Sequence, residues 1–163
     1  MHGSTIKNPL CETRHRIFSS SHTPALYLGG MDKPKKYQGR SFEFYEDARG
    51  FYYLRLKEGE DLVDEDVVEL HDWINTQGSR ERKPLLIELA FGSTISPGVQ
   101  AFFSENNQRY STADAILIST FAHKLMATFY LRHYKPVIPT RVFQDVFDAL
   151  DWIGSQNQSQ KQA

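Results

Sequence analysis

Residues 41–154 predict an α/β domain with the order β-β-α-β-α-β-α-β-α, a mixed five-stranded sheet with four helices. Three observations carry that prediction. An alternating hairpin opens the region. Two later strands are near-continuous apolar runs, as strands covered on both faces are. Each of these runs is followed by helical spacing, so the later strands are parallel and joined by right-handed crossovers.

Ser41-Phe42-Glu43-Phe44-Tyr45-Glu46 alternates apolar and polar residues, the period of a half-buried strand. Asp47-Ala48-Arg49-Gly50 is a turn with Gly50 free to take positive φ, and Phe51 to Leu56 is the returning strand. Val63, Val67, Leu70 and Ile74 then recur at helical spacing, with Asp61 or Asp64 expected as the cap and Gly78 as the stop. Pro84 to Ala90 is the first buried strand. Ser96-Pro97 opens the next helix as N-cap and first-turn proline, and Val99, Phe102 and Phe103 face inward. Residues 113–118 form the second buried strand, and Ser119 or Thr120 caps the helix after it. Val137-Ile138 is expected as a short last strand, with Thr140 capping a final helix whose stripe is Phe143, Val146, Phe147, Leu150 and Ile153.

The ends read differently. Residues 1–40 lack a sustained period and are expected to be a disordered or loosely attached extension; Met31 is a candidate native start. Residues 155–163 are a Gln-rich tail expected to fray. The extension carries seven basic residues against Glu12 and Asp32, while the whole chain has a net charge of -1. A solvated tail explains this, as does contact with an acidic partner. The near-neutral total gives no argument for nucleic acid or a membrane surface. The single Cys11 excludes an internal disulfide framework. No apolar run reaches transmembrane length and no secretory leader is apparent, so a cytoplasmic location without an integral membrane segment is expected.

The search for chemistry finds little. No glycine-rich phosphate fingerprint and no nucleophile elbow are present. The six His residues show no paired ligand spacing, so no metal or cofactor is expected. His71, His123 and His133 read as ordinary, partly exposed side chains. Glu88 within an apolar strand has the makings of a general acid, but a strand-end carboxylate turned to solvent or an Arg explains it as well; Asp114 reads the same way. The loop 91–98 follows a strand end that would be carboxyl-terminal in a parallel sheet, where such folds place ligands. Its hydroxyls Ser93, Thr94 and Ser96, with a helix start behind them, suit an anion or a phosphoryl group; Ser96 is also explained as a plain cap. The helix over 122–133 is apolar around much of its circumference through Leu125, Met126, Phe129 and Tyr130. Burial on two sides implies a partner surface or a lipid-like groove, and an intradomain core accounts for it equally. Lys124, Arg132, His133 and Lys135 lend its rim a basic character.

The order of elements, the segment 84–98 with Ser96-Pro97-Gly98, the strand 113–120, and Lys135-Pro136-Val137-Ile138-Pro139 leading to Ala149-Leu150-Asp151-Trp152-Ile153 together resemble the STAS-like family. This is the group of uncharacterised bacterial domains described as SpoIIAA-like or STAS/SEC14-like. The resemblance spans residues 41–153. It implies a small non-enzymatic domain that binds a protein partner or a small apolar ligand. Anti-sigma-factor antagonists of this type carry a phosphorylatable Ser in an Asp-Ser-Ser-Gly-like turn. Here the turn reads Ile95-Ser96-Pro97-Gly98, with Pro97 at the position of that Ser and no Asp before Ser96, so phosphoswitching is not expected. The sequence therefore points to a regulatory or protein-interaction module. Its expected surface is Ser93, Thr94, Ser96, Leu125, Met126, Phe129 and Tyr130, and a homodimer is compatible with the apolar helix. The alternative is a carrier of a lipid or small apolar ligand. An enzyme using Glu88 or a His as acid or base is the third and least supported reading.

Overall fold

A computed structural model describes residues 35–78 and 81–161. The expectations for Cys11, the Met31 start and most of the N-terminal extension lie outside these residues. Strand β1 (Lys36–Gln38) precedes the expected hairpin of β2 (Phe42–Asp47) and β3 (Phe51–Leu56). A two-residue strand β4 (Asp61–Leu62) leads into α1 (Asp64–Thr76), β5 (Lys83–Glu88), β6 (Thr94–Ile95) and α2 (Pro97–Asn106). The chain then runs through β7 (Ser111–Leu117), α3 (Phe121–Phe129), β8 (Thr140–Phe143) and α4 (Val146–Lys161). A π-helical turn, Tyr130–Tyr134, extends α3.

The main sheet has six strands in the order β1-β2-β3-β5-β7-β8, one more than expected. β1 and β2 pair antiparallel with their neighbours, and β3, β5, β7 and β8 run parallel. The extra strand falls inside the segment expected to be loose. Its periodic signal is a single residue, Tyr37, whose ring packs on Phe42 at 5.6 Å and Trp73 at 5.7 Å. β4 and β6 form a separate parallel pair, Asp61 opposite Thr94 and Leu62 opposite Ile95.

From β3 to β8 the parallel strands advance in one direction across the sheet. Right-handed crossovers of one sense therefore put α1, α2 and α3 on the same face. There they cover Phe42, Phe44, Leu54, Leu56, Ile87 and Ile116 with Val67, Leu70, Val99, Phe103 and Ala127. α4 follows the last strand and covers the opposite face, where Ala149 and Ile153 meet Phe51, Leu86 and Ala115.

The caps show where local chemistry decided the boundaries. Ser96 accepts the Val99 N–H at 3.2 Å, with Pro97 at the first helical position, and Thr120 accepts the His123 N–H at 3.1 Å; both are as expected. Gly50 takes φ 87° in the hairpin turn, also as expected. α1 starts differently. Val63 is the N-cap, and neither Asp61 nor Asp64 caps it. Asp66, buried in the first turn, accepts the Val63 N–H at 3.1 Å, and the same Oδ2 accepts from Ser41 at 2.7 Å and Arg40 at 2.9 Å. This carboxylate ties the β1–β2 turn to the start of α1. Asp66→Ala is expected to cost about 2–4 kcal/mol, because three donors lose their acceptor at once; urea unfolding of the variant checks it.

The end of the chain also corrects the expectation. The last strand is β8, not Val137-Ile138. Pro136 and Pro139 have no N–H to donate to a ladder, so pairing begins after the second proline, whose carbonyl accepts the Asp114 N–H at 2.9 Å. Phe143 therefore lies in the strand, and the cap of α4 is Asp145, whose Oδ1 accepts from the N–H groups of Phe147 at 2.8 Å and Asp148 at 3.1 Å, rather than Thr140. α4 continues through Gly154 into the tail expected to fray.

Candidate functional site

The parallel strands β3, β5, β7 and β8 end on one edge of the sheet, and the loops there are bound to one another. Leu89 N–H donates to the Leu117 carbonyl at 3.0 Å, Ile118 N–H to Phe143 at 2.9 Å, and Gly59 N–H to Phe91 at 2.9 Å. Ser119 donates to the Leu89 carbonyl at 3.2 Å. Gly92 sits at φ 72°, in the left-handed region that a side chain would strain, and this turns the chain sharply after Phe91.

His123 fixes α3 to this edge. The ring is buried. Its Nε2 lies 3.1 Å from the Ser93 carbonyl, an acceptor only, so Nε2 carries the proton. Its Nδ1 lies 3.4 Å from Ser119 Oγ. This corrects the expectation of an ordinary, partly exposed His. Of the other two, His133 is exposed and its ring stacks on Phe129 at 4.8 Å, whereas His71 is half-buried against Tyr110.

The three loop hydroxyls do not converge on a ligand. Ser93 is buried and donates to the Ala90 carbonyl at 2.8 Å. Thr94 is exposed but donates to Asp61. Ser96 caps α2 and lies 3.5 Å from an Asp64 oxygen. A Cβ placed on Gly98 would stand 2.5 Å from that same Asp64 oxygen, so a carboxylate already overlooks the start of α2. Negative charge there complements the helix dipole and opposes a second anion.

The four residues expected on the helix divide into two faces. Met126 packs against the core cluster and Tyr130 is buried within it, which corrects their expected place on the surface. The core side of α3 is set by His123, Met126, Ala127 and Tyr130 at helical spacing, so Phe121, Leu125 and Phe129 point away from it. These three are 72%, 57% and 53% exposed. At the same edge stand Phe91 from the loop after β5, 69% exposed, and Phe147 from the first turn of α4, 73% exposed. Phe147, expected in the core stripe of the final helix, is thus on the surface, and Phe91 and Phe121 join it without a periodic signal. A phenylalanine directly after a strand, at a loop or helix start, is the signal that would have found them.

Asp114 also departs from its expectation. It is not turned to solvent but 1% exposed on the helix-covered face of β7. Asn107 donates to its Oδ2. The nearby Ser111 hydroxyl eases its charge but bonds the Ala113 carbonyl at 3.0 Å, and Oδ1 has no hydrogen-bond partner among the described residues. Burial pushes the carboxyl from 3.8 up to about 6, with Ser111 and Asn107 opposing the rise. Tyr130 is raised by its own burial and then by the charge of Asp114. Glu88 meets the blander expectation: Tyr53 donates to it and Arg55 lies 3.6 Å away, while partial burial raises its pKa.

Two small apolar pockets flank Phe103, one of about 40 Å³ and one of about 30 Å³. A groove of about 360 Å³ lies open between α1 and α2, lined by Val67, Val68, His71, Gly98 and Phe102 with Asp64 at its end. Among the described residues no group of three or more His, Cys, Asp or Glu is placed to hold a metal, and no helix is long and apolar enough to cross a membrane.

A mixed sheet with three helices on one face, one on the other and an apolar carboxyl edge defines the class: a small α/β domain. Residues 47–157 match the family described as Domain of unknown function (DUF7793), and the chain belongs to that family. No curated protein matches the chain. Among solved structures it is similar to the crystal structure of an uncharacterised protein from the DUF3478 family with a SpoIIAA-like fold from Shewanella loihica PV-4. The identity is 12%, over 76% of this chain and 99% of that one, with a TM-score of 0.47.

Proposed function

We propose that this domain is a non-enzymatic regulatory or protein-interaction module that works through the carboxyl edge of its parallel strands and the outer face of α3. The observation that carries the reading is the run of exposed Phe121, Leu125 and Phe129, joined at the edge by Phe91 and Phe147. Five large apolar side chains in water are a cost that burial against a partner removes, at about 25 cal/mol per Å² of apolar surface covered. The loop hydroxyls are committed to a turn (Ser93), the Asp61 carboxylate (Thr94) and a helix cap (Ser96), which favours binding over group transfer at this edge.

Leu125→Asp and Phe121→Asp, both at solvent-facing positions, test the reading. Each is expected to keep the unfolding temperature within a few degrees and to reduce partner capture roughly tenfold or more. Capture from the native host by the full chain and both variants, followed by quantitative mass spectrometry, is the measurement. Identical partners at identical yield would remove the proposed surface.

A second reading, a carrier of a small apolar ligand, draws on one observation. The two pockets beside Phe103 are far below the roughly 300–1,000 Å³ of ligand pockets, but the groove between α1 and α2 reaches about 360 Å³. Native mass spectrometry of freshly purified protein tests it: retained ligand that Val68→Asp expels supports a carrier, and bare protein opposes it.

A further inference from the structure

We infer that the outer face of α3 seats an amphipathic helix of another protein whose flanks are acidic. This rests on the interaction reading above and names the class of its partner.

The shape comes first. Phe121, Leu125 and Phe129 are spaced by four, so they form one narrow seam along the helix. A seam of this kind accepts apolar residues repeating at three and four positions on a facing helix. Its far end is held ready. The Phe129 ring stacks on His133 at 4.8 Å and meets Tyr134 edge-on at 6.0 Å, so less freedom is lost when a partner covers it.

Charge then selects the occupant. Between Asp114 and Asp145 the chain has no Asp or Glu, yet it holds Lys124, Arg132, Lys135 and Arg141. Lys124, Arg132 and Lys135 are exposed beside or beyond the seam, and among the described residues none of them enters an ion pair. A partner helix with carboxylates beside its apolar residues complements them. A second copy of this chain does not, because α3 on α3 would set these cations against themselves. An anionic bilayer fits less well. Covering Phe91 and Phe147 together with α3 would press it onto Glu58 and Glu60, which flank the Gly59 bound to the Phe91 carbonyl, onto Asp61 bonded to Thr94, and onto Asp145 and Asp148 beside Phe147.

Three labelled helical peptides test this with the full chain by fluorescence anisotropy: an apolar seam with Glu flanks, the same seam with Lys flanks, and Glu flanks with the seam replaced by Gln and Ser. The Glu-flanked seam is expected to bind roughly tenfold tighter than the Lys-flanked one, with the margin shrinking as salt is added. The peptide without a seam should not saturate. Leu125→Asp should abolish binding, and the folded double variant Lys124→Glu, Arg132→Glu should reverse the preference. Equal affinity for both seams overturns the inference. So does a preference that the double variant leaves unmoved, or displacement of the peptide by phosphatidylserine vesicles. If the inference fails while Leu125→Asp still removes a captured partner, the interaction reading stands and only the partner class is wrong. If Leu125→Asp changes neither, both fall.

Discussion

Asp114→Asn stabilises the domain at neutral pH by up to about 3 kcal/mol and flattens its pH dependence. The folded carboxyl titrates at about 6, against the ordinary 3.8, because burial penalises its charge. The folded state therefore holds this proton more tightly than the unfolded chain does. Its contribution to stability is complete below 3.8 and is lost as the pH rises through about 6. Asparagine keeps an oxygen to accept from Asn107 and has no charge to bury. Urea midpoints measured across this window should slope downward for the native chain and run level for the variant. Parallel curves would show that the carboxyl ionises at no cost, and with it the account of the site would fail.

His123→Ala is expected to cost about 2–4 kcal/mol, most of it from the emptied volume and from the Ser93 carbonyl left without its donor. The effect should also be local. His123 is the side-chain link between α3 and the turn after β5, so amides of residues 91–95 should exchange faster than those of β2 and β3. Hydrogen exchange read by mass spectrometry distinguishes this from a uniform loss. The seam on α3 should stay folded, since Ala127 and Tyr130 still anchor it, but its register against the edge would loosen and weaken binding there.

The two residues show what a linear reading could and could not see. Both sit where local pattern permits either orientation. Asp114 precedes Ala115 in an apolar strand, and strand parity alone sends it to one face or the other. It lies inward because β7 is flanked by β5 and β8 and roofed by the helices that also bury Ile116 and Tyr130. His123 falls three residues after the Thr120 cap, a position that is exposed on many helices. Here it turns inward because the loop after β5 crosses beneath it.

Some parts of the fold have purely local causes. The alternation of residues 42–56 made the hairpin, Ser96-Pro97 and Thr120 started two helices, and Gly50 closed the turn. Two prolines, at 136 and 139, also placed the last strand, by delaying its ladder until Thr140. Tertiary structure decided the rest. Lys36–Gln38 became a strand because Phe42 and Trp73 gave Tyr37 somewhere to pack. Phe121, Leu125 and Phe147 remained in water because the helices had already filled the sheet with other residues. Helical spacing tells which side chains share a face; only the neighbouring elements decide which face is covered, and here the uncovered one is where a partner would sit.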